Sequence, residues 1–232
     1  MAKRPALIIF ARAPVAGKAK TRLVPALGAR RAAELYRCFL LDTLESARKL
    51  DAEIVVAVAE ARDLRLVRTL AEEACPEARL IVQSGADLGQ RIANAVRGTL
   101  MRGCPRAVVI GSDSPSLPPR LLREALDLSP DRDLVLGPCY DGGYYLIGLR
   151  AFRPELFSDI AWGSENVLID TLRRAEGMEL SVALLEPWHD VDTPEDLRCL
   201  HAHLTAQSLA AKPISCPRTW QYLCDLGEEA LP

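Results

Sequence analysis

The sequence predicts an α/β fold in which one mostly parallel β-sheet carries helices on both faces. Short apolar runs of strand length alternate along the chain with amphipathic stretches whose apolar residues recur at helical spacing. The strand-length runs are continuously apolar, as expected of strands that are buried on both sides. With 232 residues and 49% hydrophobic content, the chain can bury a large core in one domain. Strands separated by helices favour parallel pairing through right-handed crossovers.

Each predicted element rests on its own stretch of sequence. The apolar runs of strand length are residues 6–11, 53–59, 79–83, 107–111, 133–137, 144–149 and 180–185. Helical periodicity is clearest in residues 30–50, 63–74, 88–103 and 120–128. Because ligands of such sheets bind at the carboxyl ends of the strands, we expect the functional residues directly after the apolar runs.

We expect one domain, residues 1–207, followed by a C-terminal tail, residues 208–232. The final stretch "AAKPISCPRTWQYLCDLGEEALP" differs from the rest of the chain in its prolines and aromatic residues. Two roles are open for this tail: contacts within a homodimer, or a cover over the functional site.

Composition and charge exclude several classes of protein. The chain has 29 basic and 31 acidic side chains, and a formal net charge of -2 does not provide the broad basic face that nucleic-acid binding needs. No stretch has the eighteen successive apolar residues of a membrane span, and the first apolar run is too short for a signal peptide. Seven cysteines without a CxxC pair indicate reduced thiols. We therefore expect a cytoplasmic protein that binds neither nucleic acid nor membrane.

The loop after the first predicted strand concentrates positive charge. Eight basic residues lie within residues 1–31, and no acidic residue precedes Glu34. The loop "ARAPVAGKAKTR" is not a phosphate P-loop, because Arg12 stands where that motif needs its first glycine and Ala19 where it needs Ser or Thr. Four cations of this loop could instead surround a di- or triphosphate, namely Arg12, Lys18, Lys20 and Arg22. A solvated basic turn is the alternative.

Two acidic segments follow other predicted strands. In "AVVIGSDSPSL" the strand brings Asp113 to the ligand edge, where one carboxylate could hold a divalent cation, unless Asp113 only caps a turn. In "WHDVDTPEDL", Asp190 and Asp192 point the same way in an extended segment, and Thr193 can cap the helix that follows. Asp192, or Asp190, is then free to share Mg²⁺ with Asp113. The alternative is a pair of solvated aspartates before a helix.

The segment "GPCYDGGYYLIGL" joins two predicted strands through Asp141, Gly142 and Gly143. Asp-Gly-Gly is a strong turn signal, and a turn alone accounts for the two glycines. Paired glycines also let a backbone approach a bound sugar or acceptor closely, with Asp141 accepting hydrogen bonds from its hydroxyl groups. Both interpretations stay open.

Taken in order, these motifs resemble a known family. The series comprises "FARAPVAGKAKTRL", "LGQRIANA", "GSDSPSL", "GPCYDGGYYLIGL", "WGSENVLIDTL" and "DVDTPEDL". It is similar to the radical-SAM/selenodomain-associated transferases among the nucleotide-diphospho-sugar transferases, which are related to phospholactate and molybdenum-cofactor guanylyltransferases. The resemblance spans residues 7–204 and implies a single-domain GT-A-like (Rossmann-like) fold. Where many sugar transferases of this fold have a D-x-D motif, this chain has Ser112-Asp113-Ser114, which looks more like the single aspartate of nucleotidyltransferases.

The resemblance also implies a role for each motif. Nucleotide phosphates would be bound by the opening loop, through Arg12, Pro14, Gly17, Lys18, Lys20 and Arg22. The nucleoside would lie near Gly89 and Asn94. Asp113 and Asp192 would hold the metal ion, Mg²⁺ or Mn²⁺. The sugar or acceptor would lie against Asp141, Gly142 and Gly143.

The expected function is divalent-metal-dependent transfer from a nucleotide donor to a small-molecule acceptor, with Lys18, Arg22 and Asp113 as catalytic residues. The family resemblance favours glycosyl transfer from a nucleotide-sugar, with departure of a nucleoside diphosphate. The alternative is nucleotidyl transfer from a nucleoside triphosphate to an acceptor phosphate, with release of pyrophosphate. A catalytically silent nucleotide-binding protein is the third hypothesis.

Overall fold

A seven-stranded sheet runs through the computed structural model, which describes residues 3–227 of the chain. In chain order its strands are β1 (Ala6–Ala11), β2 (Glu53–Val58), β3 (Arg79–Val82), β4 (Ala107–Ile110), β5 (Leu134–Pro138), β6 (Tyr144–Leu149) and β7 (Val182–Leu184). Their order across the sheet is β3-β2-β1-β4-β6-β5-β7. The predicted α/β class is confirmed, and the predicted bounds of β1 and β6 are correct to the residue.

The direction of the strands explains where a ligand can bind. β1 pairs in parallel with β2 and β4, β2 with β3, and β5 with β7. β6 is antiparallel to both of its neighbours, β4 and β5, and so is the one reversed strand in the described sheet. The carboxyl ends of the other six strands therefore meet at one edge, and the β5–β6 turn lies at that same edge.

Eight helices accompany the sheet in the described part of the chain. They are α1 (Val24–Leu27), α2 (Ala29–Ala47), α3 (Leu64–Ala74), α4 (Leu88–Met101), α5 (Pro119–Leu126), α6 (Val167–Gly177), α7 (Pro194–Leu209) and α8 (Pro217–Leu226). Short 3-10 turns precede some of them, at Thr21–Leu23, Ala61–Asp63 and Pro154–Phe157. Within residues 3–227, no helix has the length and hydropathy that a membrane span requires.

Both faces of the sheet are covered by helices, as the apolar strand runs predict. Leu7 and Ile9 of β1 pack into a core formed with α2, α3 and α5. Ile8, between them in sequence, points to the opposite face and packs into a core with α4 and α6. Successive side chains of a strand point to opposite faces, so this alternation requires an apolar residue at every position of β1.

The predicted tail includes a helix that packs against the domain. The boundary predicted at residue 207 falls within α7, which continues to Leu209. Beyond it, α8 packs on α2 and α7, and Leu223 of α8 joins Leu35, Phe39 and Leu204 in a third apolar core. The last five residues of the predicted tail, 228–232, lie outside the described residues.

A buried carboxylate fixes the start of α8. Asp42 of α2 accepts hydrogen bonds from the backbone N–H groups of Arg218 and Thr219, at 3.0 and 2.8 Å, and from the Thr219 hydroxyl at 2.6 Å. The first N–H groups of a helix have no partner within the helix, and a carboxylate there satisfies them and interacts favourably with the helix dipole. Asp42 therefore performs for α8, from another helix, the role that an N-cap residue normally performs.

We predict that Asp42→Ala lowers the free energy of unfolding by about 2–3 kcal/mol, because it leaves buried backbone donors without an acceptor. Denaturant unfolding measures the loss. Glu73→Ala is the matched control, since it removes only partly exposed ion pairs, with Arg218 and Arg37, and should cost less than about 1 kcal/mol. Equal losses for the two variants would contradict the capping role of Asp42.

Candidate functional site

A cleft of about 1080 Å³ opens at the edge where the carboxyl ends of the strands meet. All six motifs quoted from the sequence contribute to its lining, and the predicted site residues among the lining are Arg12, Lys18, Lys20, Arg22, Asp113, Asp141, Gly143, Asp190 and Asp192. They come from the loops after β1, β4 and β5 and from the segment before α7. The topology therefore brings together side chains that lie up to 180 residues apart in the sequence.

Residues 12–22 follow β1 along one side of the cleft, and they are called the phosphate loop below because the sequence predicts that they bind phosphate. Arg12, Lys18 and Arg22 are exposed on this loop. Gly17 has φ +76°, a left-handed conformation that L side chains rarely adopt, and the next N–H, that of Lys18, closes a turn on the carbonyl of Val15 at 2.9 Å. Gly17 therefore affects the conformation of the loop without lining the cleft. Pro14 does not line the cleft either.

Lys20 is buried, unlike the other three cations of the phosphate loop. Its Nζ lies 2.5 Å from Asp113 Oδ1 and 2.9 Å from Asp192 Oδ1, and only 2% of its side chain is exposed. The ring centroids of Phe39 and Tyr36 lie 5.4 and 6.0 Å from the ammonium. Burial works against the charged form, but the two carboxylates outweigh it and raise the pKa of Lys20 above its usual value. Lys20 therefore carries its charge at neutral pH.

A chain of hydrogen bonds beneath the cleft connects β1 to β4. The Arg12 backbone N–H donates to the Tyr36 hydroxyl at 2.9 Å, and the Ser112 hydroxyl donates to the Phe10 carbonyl at 3.0 Å. The hydroxyls of Tyr36 and Ser112 are 2.7 Å apart, and Tyr36 is the donor because the Ser112 proton is already used. Burial, together with the charge of Asp113, raises the pKa of Tyr36 to about 12. Tyr36 thus stays protonated and fixes the phosphate loop against the end of β4.

The acidic segments after β4 and before α7 are held together by several contacts. The Val191 N–H donates to the Asp113 carbonyl at 2.9 Å, and the Ser114 hydroxyl contacts the Asp190 carboxylate. Burial, followed by repulsion from Asp113 and Asp192, raises the pKa of Asp190 to about 6. Of the two aspartates considered from the sequence, Asp192 is the one that shares the Lys20 ammonium with Asp113.

Asp192 is positioned by the start of α7. Thr193 is the N-cap of this helix and forms a capping box with Asp196, as predicted. Asp196 Oδ2 accepts from the Thr193 N–H at 2.7 Å and from the Asp192 N–H at 3.0 Å. The cap leaves the Asp192 carboxylate free to enter the cleft.

The donor chemistry of Asp113 and Asp192 fits Mg²⁺ or Mn²⁺. In residues 3–227 no group of three or more His, Cys, Asp or Glu side chains could enclose a metal ion. Mg²⁺ does not need such an enclosure, because it is usually held by one or two carboxylates together with water and substrate phosphates. The two carboxylates provide hard oxygen ligands, and their side chains are 40% and 45% exposed. They can therefore be reached from the cleft.

The turn between β5 and β6 forms another wall of the cleft. Asp141 Oδ1 accepts from the Gly143 N–H at 3.0 Å, and Gly142 has φ +85°. A Cβ on Gly142 would lie 1.9 Å from the Glu165 carbonyl oxygen, and the Gly142 carbonyl accepts from the Leu168 N–H at 2.9 Å. Gly142 is therefore required by the turn and its packing, while Asp141, Gly143 and Glu165 line the cleft.

Two residues predicted near the nucleoside lie outside the cleft lining. Gly89 packs beneath Trp162, and a Cβ there would lie 2.5 Å from the Trp162 Nε1. Asn94 donates to the Ser84 carbonyl at 2.8 Å. Among the lining residues that the sequence does not predict are Tyr36, Gln83, Arg91 and Trp162. Arg91 and Trp162 lie inside motifs quoted above. The close contact between Gly89 and Trp162 joins segments that are distant in sequence.

Distant structural neighbours share the fold. CMP:2-keto-3-deoxy-manno-octonic acid synthetase, in complex with CTP, is 14% identical with a TM-score of 0.56 over 89% of this chain and all of its own. A cytidylyltransferase from Leptospira borgpetersenii serovar Hardjo-bovis is 15% identical with a TM-score of 0.56 over all of this chain and 97% of its own. At such identities the similarity establishes the fold alone. No curated protein matches the chain.

A nearer relative covers almost the whole molecule. It is the crystal structure of a protein from Desulfovibrio desulfuricans G20, provisionally described as a nucleotide-diphospho-sugar transferase. It is 33% identical, with a TM-score of 0.87 over 99% of this chain and 96% of its own. Residues 41–164 match a family described as "Uncharacterized protein conserved in bacteria (DUF2064)". With more than half of its length matched to that family, this chain belongs to DUF2064.

Proposed function

We propose that the protein is a divalent-metal-dependent glycosyltransferase that moves a sugar from a nucleotide-diphospho-sugar to a hydroxyl group of a small acceptor. One observation carries this proposal. A single cleft contains the exposed cations of the phosphate loop, the paired carboxylates Asp113 and Asp192, and two further carboxylates, Asp141 and Glu165. The relative from Desulfovibrio desulfuricans supports the choice of donor. The radical-SAM association and the kinship with guanylyltransferases stay predictions.

The strand order determines where these groups lie along the edge of the sheet. β4 lies between β1 and β6, and β5 lies beyond β6. At about 4.8 Å between neighbouring strands, the phosphate loop after β1 and the turn after β5 are about 14 Å apart. Asp113, after β4, lies between them. A donor laid across the edge of the sheet would place its phosphates on the loop, its scissile bond near Asp113 and its sugar near the turn.

The phosphate loop would stabilise the departing nucleoside diphosphate. Lys18 and Arg22 are exposed donors in the cleft, and charge-assisted hydrogen bonds to phosphate oxygens are among the strongest that side chains make. Negative charge develops on the leaving diphosphate as its bond to the sugar breaks, so fixed cations at this place lower the barrier. A divalent ion held by Asp113 and Asp192 would supply further Lewis-acid stabilisation of the same charge.

The acceptor wall, defined as Asp141, Trp162, Ser164 and Glu165, favours a hydroxyl-bearing acceptor. Asp141 and Glu165 make this wall acidic, and none of its four residues is basic. Carboxylates accept hydrogen bonds from hydroxyl groups and repel a phosphorylated acceptor. The acceptor oxygen would form a bond to the anomeric carbon while the carbon–oxygen bond to the diphosphate breaks with its electron pair. The acceptor proton would pass to a carboxylate of this wall.

Nucleotidyl transfer is the second candidate, and one feature favours it. The loop after β4 contains Ser112-Asp113-Ser114, with a single aspartate, and the partner Asp192 is supplied from before α7. In this reaction a nucleoside triphosphate would transfer its nucleotidyl group to an acceptor phosphate and release pyrophosphate. The acceptor wall would then contact a part of the acceptor other than its phosphate.

The two candidates predict different stabilising ligands. A ligand at a hundredfold excess over its dissociation constant stabilises the folded state by about 2.7 kcal/mol, which raises the Tm of a chain of this size by roughly 5–10 °C. With Mg²⁺ present, we expect UDP-glucose, another nucleotide-sugar or a nucleoside diphosphate to raise the Tm more than triphosphates do. Differential scanning fluorimetry over the four common bases measures this.

Two other results would contradict the glycosyltransferase proposal. A larger shift with a triphosphate, together with pyrophosphate release in an acceptor screen, would replace the glycosyltransferase proposal with nucleotidyl transfer. No shift with any diphosphate, triphosphate or nucleotide-sugar at millimolar concentration would refute nucleotide binding at the phosphate loop.

We further predict that Lys18→Ala and Arg22→Ala each weaken nucleotide affinity by roughly 1.5–3 kcal/mol, the usual range for a hydrogen bond to a charged group. Isothermal titration with the best-stabilising diphosphate measures the effect. Arg30→Ala and Arg31→Ala are the controls, because both arginines are exposed on α2 outside the cleft lining. Equal losses at all four positions would indicate a diffuse basic surface instead of a phosphate site.

A further inference from the structure

Lys20 lies between two carboxylates that fit a divalent cation, and its position raises the question of what it does there. The ammonium contacts one oxygen of Asp113 and one of Asp192. Its side chain is almost completely buried, whereas both carboxylates are partly open to the cleft. Lys20 therefore approaches the pair from inside the protein, and a cation from solvent would approach it from the cleft.

We propose that Lys20 is an internal counter-cation that competes with the divalent ion for Asp113 and Asp192, so that the protein binds this ion strongly only together with a nucleotide. This inference rests on the proposed function for the identity of the nucleotide, but its central claim concerns the metal ion alone. It makes Lys20 a positioning residue for the carboxylates, and it assigns phosphate binding to the other cations of the phosphate loop.

The charge at the site supports competition. Two carboxylates and one ammonium give the group a formal charge of −1, and without the ammonium the charge would be −2. Affinity for a hard divalent cation rises with the number of anionic ligands, and a nearby ammonium repels that cation directly. A nucleoside diphosphate would add anionic oxygens and thereby increase the attraction for the divalent cation.

The backbone supports a built-in role for this lysine. Lys20 has φ 48° and ψ 48°, a left-handed conformation that is unfavourable for a residue with a Cβ. The turn points Lys20 inward while Lys18, Thr21 and Arg22 stay exposed. The Phe39 and Tyr36 rings then lie beside the ammonium and exclude water from it. The loop therefore delivers one of its cations to the carboxylates and leaves its neighbours in the cleft.

The experiment measures Mn²⁺ binding to the nucleotide-free protein, by electron paramagnetic resonance or calorimetry. We expect Lys20→Met to bind Mn²⁺ at least about tenfold more tightly than the unmodified protein, because the competing charge is gone. Lys18→Met is the matched control, since it removes the same charge from an exposed position of the same loop, where solvent screens it. Its Mn²⁺ affinity should change by less than about threefold.

A second neutral variant, Lys20→Gln, repeats the test with a polar side chain and covers the case in which Lys20→Met does not fold, which circular dichroism reports. Unchanged or weaker Mn²⁺ binding in the folded neutral variant would overturn the proposal, as would the absence of Mn²⁺ binding in every variant. We also expect ADP, CDP, GDP or UDP to increase Mn²⁺ affinity more in the unmodified protein than in the neutral variant. Failure of all nucleotides to bind would refute the proposed function and leave the Mn²⁺ comparison valid.

Discussion

The ion pair of Lys20 with Asp113 and Asp192 is the interaction on which the cleft depends. It joins the loop after β1, the end of β4 and the segment before α7 at one point. Without a cation between them, two carboxylates at this distance would repel each other. Two further contacts, from Ser114 to Asp190 and from Val191 to Asp113, hold the segments after β4 and before α7 together.

The two walls of the cleft differ in charge, and they come from different parts of the chain. The cationic wall is a single loop, anchored through the Tyr36 hydroxyl to the end of β4. The acidic wall is a hairpin turn that packs on the segment before α6 through Gly142. Since the two walls share no covalent neighbour, substitutions in one wall can change its ligand without disturbing the other.

The sequence predicts the sheet well because most of its strands are buried on both faces, which gives each of them a continuous apolar run. The continuous apolar runs of β1 and β6 give their bounds to the residue. The position of β6 between β4 and β5 depends on pairing partners, which no single run specifies. The burial of Lys20 could not be predicted, because it depends on a carboxylate 172 residues away and on an unfavourable φ angle. The contact of Gly89 with Trp162 joins segments that are distant in sequence, so no local pattern predicts it.

The late position of Asp192 in the chain affects how the protein is made. Lys20 and Asp113 leave the ribosome before Asp192 does, and roughly 80 residues separate the two aspartates. At about 5–20 residues per second, translation of that interval takes several seconds. During this time the nascent polypeptide holds the lysine and one carboxylate without the second. The ion pair of the cleft can therefore be completed only after the segment that precedes α7 has left the ribosome.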